Sequence, residues 1–260
     1  MGGRRPRARA RTVTAIAHRG DPVGRRENTL GAFASAVALG ADMVELDLRR
    51  ARDGTIVVLH DQTLTRLWGI DASIGDLSAA EVAALGEGDV RIPTLRSVLA
   101  AVPLPLMIDF TRREVVEGAL AEVLAAGALG RSLFVTGNVP ALHQLRELSG
   151  SARLGLTWTE GEEPPLALMG ELKAEYWNPM FGMVTPAGVA AAHAAGHRVS
   201  TWTVDAVEDM ARLVEAGVDA VVSNQVATLV RCLSAGAGSE TAGIARRSGR
   251  RRAGDRTSPW

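Results

Sequence analysis

Met43-Val44-Glu45-Leu46-Asp47-Leu48-Arg49-Arg50-Ala51-Arg52-Asp53-Gly54-Thr55-Ile56-Val57-Val58-Leu59-His60-Asp61 is the stretch that decides the architecture. Residues 43–48 and 55–59 are short apolar runs of strand type. Only seven residues, 48–54, lie between Asp47 and the second run, whereas a crossover helix between parallel strands needs about a dozen or more. Asp53-Gly54 is a tight-turn pair. Two geometries satisfy this spacing. In a hairpin centred on that pair, residues whose numbers sum to 107 face each other, so Asp47 meets His60. In an extended return, the connection spans roughly 23 Å before a parallel rise. Either route gathers Glu45, Asp47 and His60 at one end of the fold.

Working outward, short β-branched runs alternate with Ala/Leu-rich amphipathic segments, the pattern of a parallel α/β sheet. Strands are expected at 13–17, 43–48, 55–59, 104–110, 133–136, 153–157, 198–204 and 220–223, with a weaker one at 175–177. That number suits a closed TIM (β/α)8 barrel with an irregular connection between strands 2 and 3. Asn28 or Thr29 can cap a helix over 30–39 that stops at Gly40, and Ser78 opens another over 79–85 with Glu81 completing a capping box. Further helices are expected at 94–101, 113–126, 139–148, 186–195, 207–216 and 225–233. No linker interrupts the pattern, so 12–233 reads as one barrel domain. Residues 1–11 form a basic tail and 234–260 an Arg/Gly/Ser-rich tail, both expected to be disordered.

Composition narrows the function classes. With 47% hydrophobic and 22% charged residues in 260, the chain is neither disordered nor collagen-like. The net charge of zero hides an uneven distribution: Lys173 is the sole lysine, residues 1–11 and 246–256 hold eleven arginines, and the chain between those two segments carries 18 basic against 28 acidic residues. An acidic body argues against nucleic acid over the barrel, although the Arg-rich tails suit weak contact with RNA or anionic lipid. The single cysteine, Cys232, forms no internal disulfide. No apolar signal region follows the basic start and no run is long enough to span a membrane, so a cytoplasmic location is expected.

Three charged clusters end candidate strands, where barrel enzymes build their sites: His18-Arg19-Gly20, Glu45-Leu46-Asp47 and His60-Asp61. Glu45 and Asp47, two apart on a strand, share a face. Two carboxylates crowded there would hold one carboxyl protonated unless a cation lay between them. Hard oxygen donors suit Mg²⁺ or Ca²⁺. Asp109, ending the 104–110 strand, is the candidate third ligand or, alternatively, the cap of the next helix. His18 and His60 bracket the carboxylates and are suited to proton transfer. Arg19 offers a guanidinium to a phosphoryl oxygen. Together these groups make a phosphoryl-transfer site. Glu27 is expected to orient Arg19, join the metal shell or cap a helix. Trp202 and Trp177 are candidates either for an apolar wall beside the substrate or for core packing, and Gly20 for a tight turn beneath the phosphate. His143, His193 and His197 are expected at the surface.

The same residues carry a resemblance. His18-Arg19-Gly20, Glu27-Asn28-Thr29, Ala34, Gly40-Ala41-Asp42, Glu45-Leu46-Asp47, Asp53-Gly54, Val57-Val58-Leu59-His60-Asp61 and Leu64-Thr65-Arg66 resemble the glycerophosphodiester phosphodiesterase family in order and spacing. Ile92-Pro93-Thr94-Leu95, Trp202-Thr203-Val204-Asp205 and the 217–224 segment extend the similarity. The resemblance implies a TIM barrel that hydrolyses glycerophosphodiesters to glycerol 3-phosphate and an alcohol. It places an acid–base pair on His18 and His60, Ca²⁺ or Mg²⁺ on Glu45, Asp47 and Asp109, and a phosphate contact on Arg19. Three departures bear on substrate choice. Thr111 stands where the family commonly has Lys, so that contact is lost or comes from Arg112. Asp205 and Asn224 exchange the residues common at their positions. The 31 residues between His60 and Ile92 leave room for only a small inserted lobe. The alternatives are a phospholipase D-like enzyme acting on lysophospholipid or sphingomyelin, and a non-catalytic phosphodiester-binding barrel.

Overall fold

The computed structural model describes residues 12–161 and 163–235; both tails expected to be disordered lie outside them. Nine strands form: β1 (Thr14–Ala17), β2 (Met43–Arg50), β3 (Ile56–Val58), β4 (Leu106–Asp109), β5 (Ser132–Thr136), β6 (Arg153–Trp158), β7 (Tyr176–Pro179), β8 (Arg198–Thr201) and β9 (Ala220–Ser223). Eight of them pair in parallel, each with two neighbours, and β1 pairs with both β9 and β2, which closes a TIM barrel. The ninth, β3, runs antiparallel to the upper half of β2 and stands outside the ring.

The hairpin is therefore the correct connection, but its register differs from expectation by one residue. Leu48 faces Val58 and Arg50 faces Ile56, so facing numbers sum to 106, and the Leu59 N–H donates to the Asp47 carbonyl. Asp47 does not face His60. The cause is a three-residue turn: Ala51 bonds Thr55 at 2.9 Å, the Gly54 N–H reaches Ala51 O at 3.0 Å, and Gly54 takes φ +91°. This is the hairpin with a left-handed glycine after a tight turn, rather than the two-residue form.

Two apolar layers hold the barrel. Inward side chains, among them Ile16, Met43, Met107, Leu133, Val135, Tyr176 and Val222, fill its lower interior. Gly155 on β6 makes this possible, since a Cβ there would stand 2.7 Å from the Val135 side chain. Alternate residues such as Val44, Leu46, Phe134, Leu154 and Trp177 face outward and meet helices including Leu30–Ala38, Leu95–Ala101 and Val139–Leu148. Burying side chains of this size contributes roughly 1.5–3 kcal/mol apiece. A third cluster, Val57, Leu59, Leu64, Ile74, Val82 and Ile92, gives the 61–91 segment a small core of its own against the hairpin. The Ser78 capping box forms as expected. The helices Thr65–Trp68 and Leu166–Leu172 were not expected. Among the described residues, no helix is long and apolar enough to cross a membrane.

Candidate active site

Strand parity assembles the site. Met43 belongs to the packed barrel interior, so Glu45 and Asp47, the next two residues on that face of β2, rise above it and remain buried. Parallel register sets Asp109 of β4 directly beside Asp47. One ligand oxygen from each of Glu45, Asp47 and Asp109 lies within 4.8 Å of the others. The helix-cap alternative for Asp109 fails: the following turn, Arg113–Val115, has Arg112 at its start and no side-chain cap. Burial, then Asp47 and Asp109, holds the Glu45 carboxyl well above the ordinary range. Burial and then Asp47 push Asp109 up to about 7. Repulsion between crowded carboxylates is what a shared divalent cation would relieve.

The loop from β1 to the first helix uses left-handed backbone at two non-glycine residues, Arg19 at φ +56° and Asn28 at φ +57°, a conformation that concentrates at functional sites. Their bonds show what the strain secures. The Arg19 N–H donates to Glu45 Oε2 at 2.9 Å, and Asn28 Nδ2 donates to Asp47 Oδ2 at 2.8 Å. Thr29, not Asn28, caps the helix, accepting from the Ala32 N–H. Gly20 serves a close approach as well as a turn: at φ +86°, a Cβ would sit 2.7 Å from the Ala32 carbonyl carbon. The Arg19 guanidinium bonds Glu27 at 2.9 Å, with Nε 3.2 Å from Asp47 Oδ2. Glu27 thus orients Arg19 and also receives Arg66 at 2.7 Å. Although burial opposes it, Arg66 and Arg19 hold the Glu27 carboxyl below its usual range.

The two imidazoles sit in different environments. His18 follows β1, its Nδ1 donating to Asn224 Oδ1 at 2.7 Å and its Nε2 lying 3.9 Å from Glu45. Asn224 is oriented by Asp205, to which its Nδ2 donates at 2.8 Å and its backbone N–H at 2.9 Å. The exchanged pair at 205 and 224 therefore works as a unit behind His18. Burial, with Arg19 adding to it, lowers the His18 pKa from 6.5. His60 is more open, its side chain 43% exposed, and its Nδ1 bonds Asp61 at 2.7 Å. Arg66 donates two hydrogen bonds to Asp61 and, ahead of His60, brings that carboxyl down to about 2. A continuous chain of contacts, His60 to Asp61 to Arg66 to Glu27 to Arg19, links the hairpin side of the site to the triad.

Other expectations change. Arg112 donates to Gln62 at 3.1 Å and lines a cavity beside Thr111. Arg49 also comes to Thr111, reaching its Oγ1 at 3.4 Å, and bonds the His60 carbonyl. Trp177 is fully buried in the outer core and is no substrate wall. Trp202 is half-buried over the inner layer, with Nε1 donating to the Asn178 carbonyl at 3.0 Å. Asp61, Arg66 and Arg49 had no assigned role in the sequence. Arg49 did carry a signal, as the next residue of the Glu45-x-Asp47-x period. Arg66 was marked only by the family resemblance of Leu64-Thr65-Arg66, and its contact with Glu27, 39 residues away, was not legible. His143 and His193 are surface residues beside Glu171 and Asp219, and His197 bonds the Ala174 carbonyl.

The chain is similar to known proteins in sequence and in fold. The model of the Glycerophosphoryl diester phosphodiesterase family matches residues 18–228. A glycerophosphodiester phosphodiesterase of Caldanaerobacter subterraneus subsp. tengcongensis is 29% identical over 237 residues, covering 85% of this chain and 98% of that protein. A Mycobacterium tuberculosis protein named "Probable glycerophosphodiester phosphodiesterase 2" is 31% identical over 81% of this chain and 87% of its own. Among solved structures, an Oleispira antarctica phosphodiesterase in complex with the product sn-glycerol-3-phosphate superposes with a TM-score of 0.76 at 22% identity, covering 85% of this chain and 96% of that one.

Proposed function

The chain belongs to the glycerophosphoryl diester phosphodiesterase family, and from that premise we infer that it hydrolyses glycerophosphodiesters to glycerol 3-phosphate and an alcohol. The observation that carries this reading is the carboxylate triad, Glu45 and Asp47 buried and Asp109 partly so, flanked by two imidazoles, each tied through Nδ1. Glu45, Asp47 and Asp109 would hold one divalent cation, Ca²⁺ or Mg²⁺. When bound, it would supply positive charge to the phosphoryl oxygens and favour the ionised forms of Glu45 and Asp109.

The chain's own residues do the rest. Arg19, braced by Glu27, presents a rigid guanidinium to the phosphate. His18 donates Nδ1–H to Asn224, which leaves Nε2 as an acceptor, and burial favours the uncharged ring. His18 is therefore the base that takes the proton of the attacking group. His60, backed by the ionised Asp61, has a partner for a second ring proton and delivers it to the leaving alkoxide. Trp202 offers the glycerol end an apolar edge at the barrel mouth. A small water-soluble diester and a single unpaired cysteine suit a cytoplasmic enzyme.

The test is to incubate the protein with glycerophosphocholine and glycerophosphoethanolamine and to identify the products by phosphorus NMR. Glycerol 3-phosphate with free choline or ethanolamine supports the assignment. Phosphocholine with glycerol, or no cleavage of either diester, overturns it.

A further inference from the structure

β2 is the longest strand of the barrel, and its extra length carries a cation over the mouth. The alternation that points Glu45 and Asp47 inward places Arg49 next on the same face. Its guanidinium donates to the Leu48 carbonyl at 2.9 Å, to Thr111 and to the His60 carbonyl. All three partners are neutral. Arg112 donates only to the Gln62 amide oxygen, and the Arg50 guanidinium lies near Gly54 at the hairpin turn. Among the described residues, no carboxylate approaches any of these three arginines within 4.0 Å. Arg19, Arg52, Arg66, Arg153, Arg198 and Arg212 have such a partner, whereas Arg113, Arg131 and Arg146, outside this cavity, bond neutral oxygens.

The three unpaired arginines line one cavity of about 160 Å³, together with Thr111, Gln62 and Ser73; Glu114 is the only acid in its wall. At ~30 Å³ per water, the space holds about five waters, enough for a partly hydrated phosphate group. Three guanidiniums converge on a wall that holds one carboxylate, while Asp47, Asp109 and Asp61 act on Arg49 from beyond ion-pair distance, so the wall is richer in cation than in acid and suits an anion. The cavity adjoins the reaction site on a defined side. Arg49 and Thr111 stand two residues beyond Asp47 and Asp109, and Arg49 holds the carbonyl of His60.

We propose that this cavity is a second anion site, which receives a phosphate carried by the leaving alcohol and so favours glycerophosphodiesters with a phosphorylated polyol head group. The inference rests on the hydrolase reading above, with His60 on the leaving-group side.

Glycerophosphoinositol and glycerophosphoinositol 4-phosphate differ by one phosphate and form the test pair. Wild-type kcat/KM should favour the phosphorylated diester at least tenfold at low salt, with the advantage shrinking towards 0.5 M NaCl, where exposed charges are screened within about 4–5 Å. Arg50→Ala/Arg112→Ala should reduce the preference below about threefold, and Arg112→Glu should reverse it, with folding checked by circular dichroism. Equal wild-type rates on the two diesters, or a preference that survives the double substitution, would overturn the inference while leaving the hydrolase reading standing. Failure to cleave either diester, or glycerophosphocholine, removes the hydrolase reading and the inference with it. If the double variant loses only its inhibition by inorganic phosphate, with wild-type kcat/KM unchanged by head-group phosphorylation, the cavity binds free phosphate and the head-group assignment is wrong.

Discussion

Replacing Asp109 by Asn should stabilise the cation-free protein, and by an amount that depends on pH. Asp109 ionises at about 7 in the fold against 3.8 for an unperturbed carboxyl. A carboxyl raised in this way leaves stability intact below pH 3.8 and withdraws it as pH rises through 7, because the unfolded chain releases the proton more readily. Relative to a permanently neutral side chain, the penalty is about 0.5 kcal/mol at pH 4 and about 4 kcal/mol at pH 8, at 1.36 kcal/mol per pKa unit. Asp109 touches solvent at the barrel mouth, which screens the charge, so a gain of about 2 kcal/mol at pH 8 is expected. Urea denaturation in EDTA at pH 4.5, 6 and 8 measures it. Added Mg²⁺ or Ca²⁺ should reverse the order, raising wild-type stability by about 2.7 kcal/mol at a hundredfold excess over Kd and the variant far less. An Asp109→Asn protein less stable than wild type at pH 8 without cation, or a difference that does not change between pH 4.5 and 8, would refute the crowded-triad argument.

Other consequences follow from the same geometry. His18→Ala and His60→Ala should each lower kcat on glycerophosphocholine by roughly 10²–10⁴; on a diester with a p-nitrophenol leaving group, which needs no protonation, the His60→Ala loss should shrink to about tenfold or less and the His18→Ala loss should remain. Since burial lowers the His18 pKa and the Asn224 bond counters it, the acid limb of kcat/KM should lie below pH 6.5, and Asn224→Asp should move that limb upward in a pH–rate profile. Glu27→Gln should raise KM with a smaller change in kcat, because Arg19 and Arg66 lose a shared carboxylate; a second-layer loss of about 10–100-fold in kcat/KM is the expected scale. Choline, ethanolamine and unphosphorylated glycerol head groups, none of which matches the arginine-lined cavity, should differ in kcat/KM by about tenfold or less.

How much of this was legible in the sequence depends on the length scale of each signal. Alternation of strand and helix runs is long and periodic, so the barrel, eight of its nine strand positions and the outlying hairpin could be read directly. Tyr176–Pro179 gave the weakest strand signal because a proline ends it, yet it pairs along its whole length with β6 and through Tyr176 and Trp177 with β8. The hairpin register escaped because Asp53-Gly54 fits both a two-residue turn and a three-residue turn with a left-handed glycine; only the Ala51–Thr55 closure tells them apart. Leu166–Leu172 follows Pro164-Pro165, which reads as loop but supplies the helix start. In the site, Glu45 and Asp47 are marked by parity within one strand, and His18 and His60 by their place after strands. Asp61, Arg66 and Asn224 are not so marked, because their roles arise from pairings across as many as 206 residues. Trp177 and Trp202 look alike in sequence; parity sends the first to the helical layer and the second to the mouth.

The central claim is that Glu45, Asp47 and Asp109 hold one divalent cation without which the diester is not cleaved. Its most direct test is a titration of cation-stripped protein with Mg²⁺ and, separately, Ca²⁺, following glycerol 3-phosphate release from glycerophosphocholine at each addition. Turnover should be negligible at the start, rise with one cation per chain for at least one of the two metals, and fail to rise in Asp109→Asn. Undiminished turnover in the stripped protein, or full cation-dependent activity in Asp109→Asn, would contradict the account.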